Sequence, residues 1–203
     1  MHNKQAELYQ EFRPEMKTGD VIAFSGKGRV SEIIKWKTGS PYSHVALVLS
    51  TDLGGAFGGV NVLVIESTTL NNLPDVKTGE LIKGVQMQWL SKRLQTYDGA
   101  AWWGRVTEEI TPCGLHNMEA WVRKKHAERT PYDSIQAIGA GVDLLDWMPG
   151  IENEPDFNSL FCSELVACAW QAAGLLDEDI NASEMTPADI MKLPFIEKHQ
   201  IKK

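Results

Sequence analysis

The stretches "SHVALVLS" (43–50) and "VNVLVIES" (60–67) decide how the rest of the chain is read. Both are rich in β-branched and aliphatic side chains, and both are apolar at odd and even positions alike. A strand with one wet face alternates, whereas a run that is apolar on both parities is a strand covered on both faces. The glycine-rich "TDLGGAFGG" (51–59) between them suits a chain reversal, so the two runs predict an antiparallel hairpin at the centre of a covered sheet. Each strand carries a single ionisable side chain, His44 in the first and Glu66 in the second.

Pairing symmetric about Gly55 places Ser50 opposite Val60, Val48 opposite Val62, Ala46 opposite Val64 and His44 opposite Glu66. Directly opposed residues have Cβ atoms about 4.5–5.5 Å apart, within reach of a carboxylate–imidazole hydrogen bond. Such a carboxylate fixes the tautomer of a histidine base and steadies its imidazolium. One bulge shifts this register, and a solvated Glu66 at a strand end is the alternative reading.

Outward from the hairpin, "DVIAFSG" (20–26) and "GAAWWGRV" (99–106) read as further strands. "SEIIKWKTG" (31–39) reads as a short helix with Ser31 as cap and Gly39 as stop, and "VQMQWLSKRL" (85–94) shows helical spacing at Val85, Trp89, Leu90 and Leu94. "NMEAWVRKKHAERT" (117–130) predicts a charged surface helix, and "SIQAIGAGVDLLDWM" (134–148) a helix weakened by its glycines. "TPADIMKLPF" (186–195) opens with a box-like cap, Thr186 with Asp189, and Pro187 in the first helical position. Residues 3–13 predict a short polar helix ending near Pro14. Segregated helices beside a mainly antiparallel sheet argue for the α+β class.

The bulk numbers bound the function. A chain of 203 residues suits one domain spanning 1–203, with 1–17 as a polar helical N-terminal segment. The net charge is −7 and no long basic run occurs, so nucleic acid is not the expected partner. The basic tail "EKHQIKK" reads as a solvated end. Three cysteines form no disulfide framework, no apolar h-region opens the chain, and no run reaches the length of a membrane span. The expectation is a cytoplasmic protein without a transmembrane segment.

"NSLFCSELVACAWQAAG" (158–174) puts a cysteine near the start of an almost wholly apolar helix, with Asn158 or Ser159 as cap and Gly174 as stop. Cys162 in the first turn meets unpaired N–H groups and the positive end of the helix dipole, which favour a thiolate. Ser163 and Glu164 beside it suggest an open helix end, whereas Cys168, among Ala167, Ala169 and Trp170, reads as a buried apolar residue. A thiol nucleophile needs a base, and His44 opens a strongly apolar strand. His2 and His199 lie in tails, His126 lies in the charged run "RKKHAER", and His116 follows the turn-like "TPCG". "CGLH" supplies one close pair of metal ligands and lacks a second, so no metal site is expected. "SGKG" (25–28) fails as a phosphate loop, with Val21 in place of the first glycine and Gly28 in place of the hydroxyl residue.

Taken together, "TGDVIAFSG…GSPYSHVALVL", "VIEST" and "FCSELV" resemble the NlpC-type papain-like cysteine hydrolases, and more narrowly their circularly permuted YiiX/YebB-like branch, in which the His strand precedes the Cys helix. The resemblance implies a papain-like α+β fold, Cys162 as nucleophile, His44 as base and Glu66 as the residue that orients it. It also implies Cys162 N–H as one oxyanion donor and an acyl-enzyme route that needs no cofactor. Tyr132, in "TPYDS", is similar to a tyrosine before the Cys motif in that branch. With Ser43 and Ser163, the chain neighbours of base and nucleophile, it forms the expected substrate-contacting set. The implied substrate is a peptide, of cell-wall type or otherwise. A lipid acyl ester ranks second, because "FCSEL" differs from the "NCEHF" motif of lecithin–retinol acyltransferases. A silent ligand-binding module of the same fold is the third reading.

Overall fold

Strands apolar on both parities need cover on both faces, and the fold supplies it. The computed structural model describes residues 3–52, 61–130 and 158–203. Six strands, β1 (Val21–Gly26), β2 (His44–Asp52), β3 (Asn61–Thr68), β4 (Gly84–Trp89), β5 (Gly99–Val106) and β6 (Ile196–Lys202), form one sheet in the order β4-β3-β2-β1-β5-β6. Every neighbouring pair is antiparallel. The described residues also form six α-helices: α1 (Asn3–Phe12), α2 (Arg29–Thr38), α3 (Leu90–Thr96), α4 (Pro112–Ala127), α5 (Asn158–Ala172) and α6 (Pro187–Lys192). The fold is α+β, as expected from the segregation of elements.

Alternate residues of each strand enter different cores. Val45, Leu47 and Leu49 of β2 join Ile65 and Met87 beneath Leu165, Ala169 and Trp170 of α5, while Ala46 and Val48 join Val64 against Leu90, Leu94 and Trp103. α5 thus covers one face of the hairpin, and α3 packs on β3 from the other. Trp170 Nε1 donates to Gly19 O at 2.9 Å, which fixes α5 to the turn entering β1. Buried Asp20 in that turn accepts from Trp103 Nε1 and Val106 N, both at 2.9 Å. α4 lies close against α5: a Cβ on Gly114 would sit 2.3 Å from Ala173 O. Gly174, at φ +70, ends α5 in the left-handed conformation expected of its position. Thr186 and Asp189 complete the capping box of α6.

Four expectations need correction. Residues 85–94 are not one helix, because the chain leaves β4 at Trp89 and begins α3 at Leu90. The alternation in "VQMQW" is the strand signal that the helical spacing obscured. The basic tail is not a solvated end: it pairs with β5 as β6, burying Ile201, and Lys202 Nζ bonds Leu94 O at 2.7 Å. Gly28, not Ser31, stands at the N-cap of α2. His126 is buried rather than solvated, with Nε2 2.9 Å from Asp75 Oδ2.

The hairpin register also differs. Leu47 pairs Ile65 and Val48 pairs Val64, and a bulge between Val48 and Ser50 then brings Leu63 opposite Ser50. Continuing the Leu47–Ile65 register sets Glu66 opposite Ala46, so His44 and Glu66 are diagonal rather than direct partners. A two-residue slip preserves parity, and both side chains stay on one face. The segment 134–148 and Tyr132 lie outside the described residues.

Candidate functional site

Diagonal cross-strand neighbours are roughly 7–8 Å apart, a gap that a histidine and a glutamate can close. His44 Nε2 and Glu66 Oε2 are 2.6 Å apart, with both side chains buried. His44 is the first residue of β2, at the end of the sheet, where an imidazole can be reached from more than one side. Its Nδ1 is buried and has no hydrogen-bond partner of regular geometry among the described residues. Besides Glu66, the side chain that hydrogen-bonds the imidazole is Cys162. Thus β2, β3 and α5 bring together the three residues singled out from the sequence.

Burial alone would lower the imidazole's affinity for a proton. The negative charge and hydrogen bond of Cys162, with those of Glu66, outweigh it and raise the His44 pKa to about 10. Burial likewise pushes the Glu66 carboxyl up. The Arg93 charge and the His44 contact overcome that push and hold it below the ordinary range.

Arg93 is the residue the sequence did not give up. It lies on α3 and is 1% exposed. Its Nε is 2.9 Å from Glu66 Oε1, and its Nη2 donates to Oε2 at 3.1 Å. The Tyr97 ring stands 5.5 Å from the guanidinium carbon, and Phe24 packs on the His44 ring at 5.7 Å. The result is a buried series: sulfur, imidazole, carboxylate, guanidinium. Reading β4 and α3 as one helix hid the turn that brings Arg93 beneath Glu66.

The surroundings of Cys162 differ from the expectation of an open helix end. Cys162, Ser163 and Glu164 are all buried, with Cys162 at 0% exposure. Cys162 is the fifth residue of α5 as described. A helix leaves only its first four N–H groups without internal partners, and the dipole acts mainly on the first turn. The positive charge next to the sulfur is the imidazole.

Ser43 and Ser163 are both engaged by the protein itself. Ser43 Oγ accepts from Gly26 N at 2.9 Å and lies 3.3 Å from Phe24 O, joining the ends of β1 and β2. Ser163 Oγ donates to Met185 O. Ser43 still borders a cleft of about 220 Å³ lined by His44, Thr68, Asn72, Arg93 and Tyr97. A side chain at Gly26, on the same cleft, would strike Ser31 Oγ and the Tyr97 hydroxyl.

No protein-family model matches the chain, and no curated protein matches it by sequence. Among solved structures it is similar to metalloprotein YiiX from Escherichia coli O157:H7, DUF1105, at 14% identity and a TM-score of 0.52. The match covers 92% of this chain and 97% of that one. Among the described residues, no group of three or more His, Cys, Asp or Glu side chains is placed to hold a metal ion, and both oxygens of Glu66 already face Arg93 or His44. No helix among them is long and apolar enough to cross a membrane. The structural likeness establishes a YiiX-like fold.

Proposed function

We propose that the chain is a cysteine hydrolase of the circularly permuted papain-like type, cleaving an amide bond in a peptide through Cys162, His44 and Glu66. The observation that carries this reading is the buried His44–Glu66 pair, 2.6 Å apart, with the charge of Cys162 acting on the same imidazole. A histidine holding its proton to about pH 10 is suited to an imidazolium–thiolate pair at neutral pH.

In this mechanism the Cys162 sulfur attacks the carbonyl carbon, and the C=O electron pair moves to oxygen. As the tetrahedral species collapses, the C–N bond breaks and the His44 imidazolium gives its proton to the leaving nitrogen. Water then attacks the thioester, His44 takes its proton, and the acid departs from the regenerated thiolate. Glu66 holds Nε2–H and compensates the imidazolium charge. Arg93 acts through Glu66, as a positioning residue that keeps the carboxylate ionised where burial opposes it. Ser43 serves the cleft by fixing its wall, and Tyr132 remains a proposed substrate contact.

The test is an activity-based thiol probe, followed by a panel of acyl-amides, peptides and phospholipids on wild type and Cys162→Ala. Labelling at Cys162, with amide turnover lost in the variant, is the expected result. Turnover of phospholipid esters alone would move the assignment to a lipid acyl hydrolase. Absence of labelling and of all turnover would leave the silent binding module.

A further inference from the structure

Glu164 follows Cys162 by two positions, roughly 200° around α5, and so faces away from the His44 side. Its residue is 5% exposed, and it forms no hydrogen bond or ion pair among the described residues. A buried carboxyl without a partner is costly when ionised. It borders a surface cavity of about 440 Å³ between α4 and α5, whose walls include Trp121, Lys125, Leu165, Cys168 and Ala172.

The charged and titratable groups on this cavity are Glu164, Glu178, Lys125 and Cys168. Lys125 is already engaged, 3.8 Å from Glu128 and 5.6 Å from the Trp121 ring centre. The Cys168 thiol is pushed up to about 11, by burial and then by the Glu164 charge, so it stays neutral. The cavity therefore presents an unpaired acid amid apolar walls. A bare metal ion would find no three-ligand group there among the described residues. An anion would meet two carboxyls.

We propose that this cavity binds a primary alkylammonium, its –NH₃⁺ paired with the Glu164 carboxylate and its methylenes against Trp121, Leu165 and Ala172. The ammonium supplies the donors and the charge that Glu164 lacks, and the chain covers the apolar walls. Burial raises the Glu164 pKa to about 7, so binding takes the carboxylate form and releases a proton where the acid was protonated. The site does not depend on the thiol chemistry, and Cys162→Ala should bind as wild type does.

Calorimetric titration of the full chain with hexylammonium, 1-hexanol and hexanoate at pH 6 and pH 8 tests this. With Glu164 titrating near 7 and only its ionised form binding, hexylammonium affinity should rise about tenfold from pH 6 to pH 8. Hexanol and hexanoate should bind at least tenfold more weakly at pH 8. Glu164→Gln should abolish the pH dependence and most of the affinity. Should that variant misfold, Ala172→Phe fills the cavity while leaving the acid in place, and should likewise lose binding. Equal binding of hexylammonium and hexanol, no binding of hexylammonium at pH 8, or undiminished binding by Ala172→Phe each overturns the proposal.

Discussion

Arg93 and Glu66 meet side-on: Nε stands 2.9 Å from one carboxylate oxygen and Nη2 donates at 3.1 Å to the other, with both side chains buried. A guanidinium that donates to one carboxylate oxygen and sets its charge against the other holds it in one orientation, as a compact ammonium cannot. Glu66 therefore presents a fixed oxygen to His44.

Removing Arg93 leaves a buried carboxylate compensated by His44 alone. Arg93→Met should therefore cost about 3–5 kcal/mol of unfolding free energy, the usual penalty for stranding one member of a buried pair. Arg93→Lys should recover part of the stability, since it returns the charge without the fork. Urea denaturation of the three proteins at neutral pH measures both effects. A positioning role also requires the pH profile of Cys162 alkylation to shift in Arg93→Lys. A Lys variant with wild-type stability and an unmoved profile would reduce Arg93 to packing.

The raised His44 pKa sets a pH window for stability. The imidazole titrates near 6.5 when unfolded and near 10 when folded. Its contribution is fully present below 6.5 and is lost as the pH rises toward 10, because the folded state holds a proton that the unfolded state has released. Unfolding free energy should thus fall across that interval, and His44→Gln should flatten the fall. Denaturation midpoints taken across the interval test it. An equal slope in the variant would assign the fall to other groups.

The central hairpin, the outer strands 20–26 and 99–106, the capping box at Thr186 and the stop at Gly174 were legible, because each rests on local chemistry: side-chain parity, a cap, a left-handed glycine. The proximity of His44 and Glu66 was legible for a subtler reason. The register was wrong by two residues, yet parity survived and side chains of this length bridge the diagonal. Arg93 was hidden because its role depends on a turn at Trp89–Leu90 and on which face α3 covers, neither of which is local. The tail 196–202 reads as polar because it is an edge strand, which buries few of its residues. His126 looks solvated within "RKKHAER", and only its distant partner Asp75 explains its burial.

Cys113 and Cys168 should separate by environment. Cys113 is exposed, whereas Cys168 is half-buried rather than fully sealed as its apolar neighbours suggested. Its protection comes from a pKa pushed up to about 11 from 9.0, which cuts its thiolate fraction about a hundredfold at pH 8. Brief iodoacetamide exposure and peptide mapping should find Cys113 labelled and Cys168 spared. In Glu164→Gln, which removes a charge that raises the Cys168 pKa, Cys168 should label faster. Equal rates in the variant would show that burial alone protects it.

Glu66→Gln tests the centre of the proposed mechanism. The substitution keeps size and a hydrogen-bonding group but removes the charge, and its amide can present N–H to the imidazole and favour the wrong tautomer. Neutralising a triad carboxylate lowers turnover by about 10⁴ in a serine protease, and the expected loss here is about 10² to 10⁴. The lower figure reflects a thiolate's smaller dependence on its base. Glu66 is one of the groups that raise the His44 pKa, so its neutralisation should lower that pKa. With less imidazolium beside the sulfur, alkylation of Cys162 near neutral pH should slow. The structure adds a consequence for stability: a neutral amide in place of the carboxylate would leave the Arg93 guanidinium buried without its counter-charge, so the variant should also unfold more readily. The decisive measurement is the Cys162 alkylation rate against pH in wild type and Glu66→Gln, with circular dichroism to establish that the variant is folded. Superimposable profiles in a folded variant would show that Glu66 does not govern His44.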